Sequence, residues 1–282
     1  MARLLVWLSL ILCSPSVFAD ARMAVIGDAG LTGTDLDNLR DSIGLERVQS
    51  LILPGDNLYF GRYNWTWDRW KREGFRFDVV ALGNHHKGYQ NEIHYFGMPG
   101  EFFSTEKNGA RFLVLNSDNV ENAELQCAWL DEEIEKVTEK LVFLVYHHPT
   151  FNLNAGHDWR GKEKFQRCLR AFFKKNIERL TAVLLGHDHI STLVDFGGVN
   201  AIVAGSGREV NRSTPVNYEE DGFQIKTRYL APMTQHWVSL DIPQAADQVD
   251  VHFIRVSDQT RTCSVKIKPG MTATLGENCM KP

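Results

Sequence analysis

Five times in this chain a short apolar run ends in a tight turn that carries an oxygen or imidazole donor. The turns are Gly27-Asp28-Ala29-Gly30, Gly55-Asp56-Asn57-Leu58-Tyr59, Gly83-Asn84-His85-His86, His147-His148-Pro149 and Gly186-His187-Asp188-His189. Apolar runs of this length, bounded by Gly and Pro, read as buried strands. A strand that feeds such a turn sets its side chains at the edge of a sheet, where open α/β folds bind ligands. One Gly-Asp is ordinary turn chemistry. Five such ends in one chain are not.

Strands are expected at residues 22–26, 50–53, 77–82, 141–146 and 180–185. Thr34 can cap a helix that carries Leu36, Leu39 and Ile43 on one face. Residues 64–72, rich in Trp and Arg, read as a loop or short helix. Trp65, Trp67 and Trp70 there either wall a cleft or pack on the core. Helices are expected at residues 124–137, with Leu130, Ile134 and Val137 inward, and at 161–175. In the latter, Lys162, Lys164, Arg167, Arg170 and Lys174 read as a solvated face. Alternating strands and helices argue a sheet with crossover connections. Glu106-Lys107-Asn108-Gly109 signals a hairpin. The second half turns β-rich, with strands at 192–196, 200–204, 237–242, 249–256 and 263–267. The polar stretch 208–222 reads as a long loop.

Arg3, an apolar run and Val17-Phe18-Ala19 form the pattern of a secretory leader, so residues 1–19 are expected to be removed. Residues 20–282 then form a single domain. The formal charge of −4 lacks the clustered excess of Lys and Arg that a nucleic-acid surface needs. No later run is apolar enough to cross a membrane, and a secreted or periplasmic monomer is expected. Outside the leader stand Cys127, Cys168, Cys263 and Cys279. An even number in an exported chain suggests disulfides. Four cysteines allow three pairings, with free buried thiols as the alternative; in the favoured one Cys263–Cys279 would staple the tail, contributing roughly 3 kcal/mol in the chain-entropy model, and Cys127–Cys168 would tie two helices.

The strand-end loops hold Asp28, Asp56 with Tyr59, Asn84 with His85, His147, and His187 with His189. All are oxygen or imidazole donors, which suit hard or borderline metals such as Fe, Zn or Mn. They are too many for one ion and about right for two, if one carboxylate bridges. Two ions about 3.5–4 Å apart are the standard arrangement for in-line attack at phosphorus.

In these five motifs the chain resembles the calcineurin-like metallophosphoesterases, and within them the small, tartrate-resistant type of purple acid phosphatase. Gly30 stands where the common pattern has His, and Tyr59 matches a phenolate ligand. The resemblance runs from about residue 23 to 204, and the tail after about 257 lies outside it. It implies a four-layer α/β/β/α metallophosphoesterase sandwich with two mixed β-sheets. It implies that Asp28, Asp56, Tyr59 and His189 hold Fe(III). Asp56, Asn84, His147 and His187 would hold a divalent Fe, Zn or Mn, with Asp56 bridging. His85 and His157 would act on the substrate phosphate. The implied activity is that of an acid phosphatase, which hydrolyses small phosphomonoesters by in-line attack of metal-bound hydroxide. A phosphodiesterase or nucleotide hydrolase at the same site, or a non-catalytic secreted binding protein, are the alternatives. His86 stands where the family has an acid. His148 reads as a surface residue sooner than as a group behind the metal ligands. His94, His236 and His252 match nothing, and Asn64 and Asn211 head glycosylation sequons.

Overall fold

The computed structural model describes residues 21–157, 159, 162–207, 210–243 and 247–280. The expected leader lies outside the described residues.

The first half alternates as expected. Strands β1 (Ala21–Val25), β2 (Ser50–Pro54) and β3 (Arg76–Ala81) are joined by helices α1 (Thr34–Leu45) and α2 (Tyr63–Arg72). The three strands pair in parallel. Thr34 is the first residue of α1 rather than its cap; Gly33 occupies that place. A third helix, α3 (Tyr89–Phe96), follows and is closed by Gly97 in the left-handed conformation. That helix was not expected from the sequence. Strands β4 (Phe103–Lys107) and β5 (Ala110–Val114) form the expected hairpin. Then come α4 (Ala123–Ile134), β6 (Leu141–Val145), α5 (Glu163–Asn176) and β7 (Ala182–Leu185).

The chain turns antiparallel with β8 (Ser191–Phe196) and β9 (Val199–Ala204). The stretch expected to be a long loop instead contains β10 (Asn217–Glu220), which pairs with β11 (Phe223–Leu230). Asp221 and Gly222 between them both have positive φ, the geometry of a two-residue hairpin turn. The Asp-Gly signal was present in the sequence, and the polar flanks hid it. Strands β12 (His236–Ile242), β13 (Val249–Arg255), β14 (Arg261–Ile267) and β15 (Thr274–Leu275) complete the fold.

Two mixed sheets result, ordered β15-β14-β13-β12-β1-β2-β3 and β10-β11-β8-β9-β7-β6-β5-β4. Side chains alternate between the faces of the second sheet, because a strand has period two. Phe112, Phe143, Val145, Leu184 and Ile202 share one core with the first sheet and helices α1 and α2. Their neighbours Leu113, Leu144, Val183 and Val203 join a second core with α4 and α5. Helices thus cover the outer face of each sheet, which gives the expected four layers. On α5, Phe165, Leu169, Phe172 and Phe173 form the buried stripe. Each such side chain contributes about 1.5–3 kcal/mol of burial.

Trp67 and Trp70 are fully buried in the core, whereas Trp65 is exposed. The basic face of α5 is not wholly solvated: Arg170 is mostly covered, bonding Glu220 and Asp221 and lying 4.8 Å over Phe151. Cys127–Cys168 joins α4 to α5, and Cys263–Cys279 ties the tail to β14. Among the described residues no helix is long and apolar enough to cross a membrane.

Candidate metal centre

The parallel strands of both sheets end at one edge. Loop-to-loop bonds join them there, with Gly27 N donating to Ala204 O (2.7 Å) and Gly186 N to His147 O (3.1 Å). The donors of all five motifs meet at this edge in two linked sets.

In the first set, Tyr59 Oη lies 3.0 Å from both Asp28 Oδ1 and His189 Nε2. In the second, His147 Nε2 lies 3.1 Å from Asn84 Oδ1 and 3.2 Å from Asp56 Oδ1. His187 Nδ1 stands 3.2 Å from the same Asn84 oxygen. Asp56 belongs to both sets, since it also interacts with Tyr59. Asp28 Oδ2 accepts from the backbone of His187 at 2.8 Å, which ties the sets together. Donor atoms of Asp28, Asp56 and His147 lie within 4.8 Å of one another.

The backbone is bent to bring them there. Asp28 (φ 57°), Asp56 (φ 53°), His187 (φ 71°) and His189 (φ 44°) all adopt left-handed conformations. Such conformations are uncommon outside glycine and persist only where the surroundings enforce them; they cluster at functional sites. Glycine makes the approach of the loops possible. A Cβ on Gly30 would stand 2.3 Å from Leu58 N, so loop one lies directly on loop two and Tyr59 N can donate to Gly30 O at 2.9 Å. The space of a side chain at position 30 is thus filled by the loop that carries Tyr59.

The set has the chemistry of a cation site. His147 Nδ1 donates to Pro54 O at 3.0 Å, since a carbonyl can only accept. In its neutral, metal-binding form the ring would turn its Nε2 lone pair toward two oxygens that also only accept, and without an ion a proton on Nε2 fills that place. A shared cation resolves that opposition, and the backbone bond fixes the ring for it. His187 Nε2 is buried with no partner. Without an ion, Asp56 is buried, yet His147 beside it and the His85 N–H hold its carboxyl well below the usual range. Burial disfavours charge on His147, but Asp56 raises it to about 9. Burial and then His147 push His187 down to about 2. Tyr59, buried between Asp28 and Asp56, is held far above the ordinary phenol range.

His85 and His157 are both exposed at the mouth. The His85 ring sits 4.6 Å from that of Tyr59, and the backbone N–H of His85 donates to Asp56 Oδ1 at 2.9 Å. His157 Nδ1 donates to His187 O at 2.9 Å. Beside His157 opens a cavity of about 150 Å³, lined in part by Trp159, Gln166, Arg170 and Asp188. His86 stacks on Tyr89 at 4.3 Å and faces Asp118 at 3.6 Å.

His148 is not a surface residue. It is 3% exposed, held by Ser117 and packed against Trp159 and His187. Sequence reasoning also missed the support beneath loop two. Asn57, next to Asp56, donates to Ala81 O (2.8 Å) and to Glu92, while Trp67 Nε1 holds its carbonyl at 2.7 Å. Tyr63 donates to the other Glu92 oxygen at 2.8 Å. Glu92 is fully buried on α3, and burial raises its carboxyl to about 7. A folded-state value above the unfolded one means that the folded protein holds this proton longer. Its contribution to stability is then complete below about pH 4.5 and lost as pH rises through about 7. Glu92→Gln is expected to flatten the fall of Tm between those pH values; an unchanged slope in calorimetry would contradict the assignment.

The chain matches no protein-family model and no curated protein. Among solved structures it is similar to GAP50, the anchor in the inner membrane complex of Plasmodium. That pair is 14% identical, with 89% of each chain covered and a TM-score of 0.61. It is also similar to PhoD, 13% identical over 93% of this chain and 72% of that one, again at 0.61. Such identities speak for the fold alone. The fold is the metallophosphoesterase sandwich.

Proposed function

We propose that this chain is a dinuclear metal-dependent phosphomonoesterase of the purple acid phosphatase type, working outside the cytoplasm. The observation that carries the reading is the meeting of seven donors from five loops in two sets that share Asp56. Asp28, Tyr59 and His189 with Asp56 would hold Fe(III). Asn84, His147 and His187 with Asp56 would hold a divalent Fe, Zn or Mn. Two such ions supply charge neutralisation for phosphoryl oxygens and a nucleophile at neutral or acidic pH.

The remaining work falls to the side chains at the mouth. His85 lies over Tyr59 and offers its ring to the phosphate and a proton to the leaving oxygen. His157, anchored through Nδ1, turns Nε2 toward the substrate. Two disulfides favour an oxidising compartment, in keeping with export of the chain.

The test is spectroscopic. Iron-loaded protein is expected to show a visible phenolate-to-Fe(III) band that vanishes in Tyr59→Phe. A band that survives the substitution, or iron-loaded protein without one, contradicts this branch. Relative rates on mono- and diesters separate the phosphatase from a phosphodiesterase. A second reading has support in the likeness to GAP50, whose description is that of an anchor. Fold does not fix function, and folded protein that takes up no metal would favour such a binding role.

A further inference from the structure

We infer that His148 is a positioning residue for the divalent half of the centre, acting through His147 and His187. The inference rests on the metal reading above. Ser117 Oγ accepts the backbone N–H of His147 (3.3 Å) and of His148 (3.1 Å). Both of its lone pairs are then used, so its own proton goes to His148 Nδ1 at 2.8 Å. The neutral imidazole therefore carries its hydrogen on Nε2, and its plane is fixed.

That plane is packed among three rings. Trp159 stacks on it at 5.0 Å with only 7° between the rings. The His187 ring lies tilted against it at 4.4 Å, and the His147 ring meets it edge-on at 4.8 Å. His187 needs such a support. It sits on left-handed backbone, its ring has one hydrogen-bond contact, Nδ1 to Asn84, and no such partner for Nε2, and of its ring neighbours His148 at 4.4 Å is nearer than His147 at 5.1 Å or His157 at 5.4 Å. The hydroxyl of Ser117 meanwhile holds the backbone of His147 itself. One buried unit, Ser117 with His148 and Trp159, thus sets the aim of two imidazoles. Its ring and hydrogen-bond contacts reach His147 and His187, the two imidazoles of the divalent set.

The consequence is a one-sided effect. Outer residues that orient ligands change metal affinity by about 10–100-fold. His148→Ala is expected to weaken zinc binding by that factor, measured by titrating zinc calorimetrically into iron-loaded protein. The visible Tyr59 band and the iron content are expected to stay as in the parent. Ser117→Ala, a smaller change, is expected to act in the same direction and decides the matter if His148→Ala does not fold. Unchanged zinc affinity, or equal loss of iron and zinc, overturns the inference. Parent protein that binds neither ion overturns the metal reading first, and this inference with it.

Discussion

Asp56→Asn is expected to leave the protein folded but without its second ion, and to lower kcat/KM for an aryl phosphate at least about a thousandfold. That factor corresponds to about 4 kcal/mol of transition-state stabilisation. The position explains the size. Asp56 is 2% exposed, accepts from His85 N and faces His147 Nε2 while interacting with Tyr59. An amide keeps the shape and loses the charge that both sets share. Its NH2 group would also confront donors or a cation where an acceptor is needed. Metal content by atomic emission, beside steady-state kinetics, gives the answer. Parent-like activity with a full metal complement would sink the bridging role.

Gly83→Ala is the second large effect, and it reaches the same carboxylate from outside. A Cβ there would lie 2.2 Å from both the backbone N and the Oδ1 of Asp56. The obstruction is backbone, which cannot swing away as a flexible side chain can. Overpacking of this kind costs about 1–3 kcal/mol, and here the relief must come from the loop that carries Asp56. Tm is expected to fall by several degrees, since about 1 kcal/mol moves it by ~2–4 °C in a domain of 150–250 residues. Metal affinity is expected to fall with it. Unaltered melting together with unaltered metal binding would mean that the two loops do not touch.

Together these variants separate chemistry from geometry at one residue. The first changes what Asp56 offers, the second where it stands. The Glu92, Asn57 and Trp67 network beneath loop two works on the second quantity, because Asn57 follows Asp56 directly. The strain at Asp28, Asp56, His187 and His189 has the same origin. Short loops at the ends of close-packed strands can converge on one point only by bending sharply.

Much of this was legible in the chain alone, and for a local reason. Strand, turn and donor are written within a few residues of each other, as in Leu53-Pro54-Gly55-Asp56. The parallel rhythm of β1 to β3, the Asn108-Gly109 hairpin and the amphipathic α5 follow from period and turn chemistry. Helix α3 escaped because its buried face is short and its most buried residue is an acid, Glu92. Hairpin β10–β11 escaped because its first strand lies at the sheet edge and is polar.

What the sequence determined by itself is the list of donors and the strand ends that bear them, since both depend on neighbours a few positions away. Pairings across the fold were decided by the tertiary structure. His148 looked like a surface residue until Ser117 from another loop, and Trp159 from farther along its own, closed on it. Arg170 looked solvated until the β10–β11 hairpin met it. Gly30 was legible only as a mark of the resemblance, and that Leu58 fills the space of its missing side chain was decided by packing. Burial is a property of packing between distant segments, and no local pattern encodes which segment arrives.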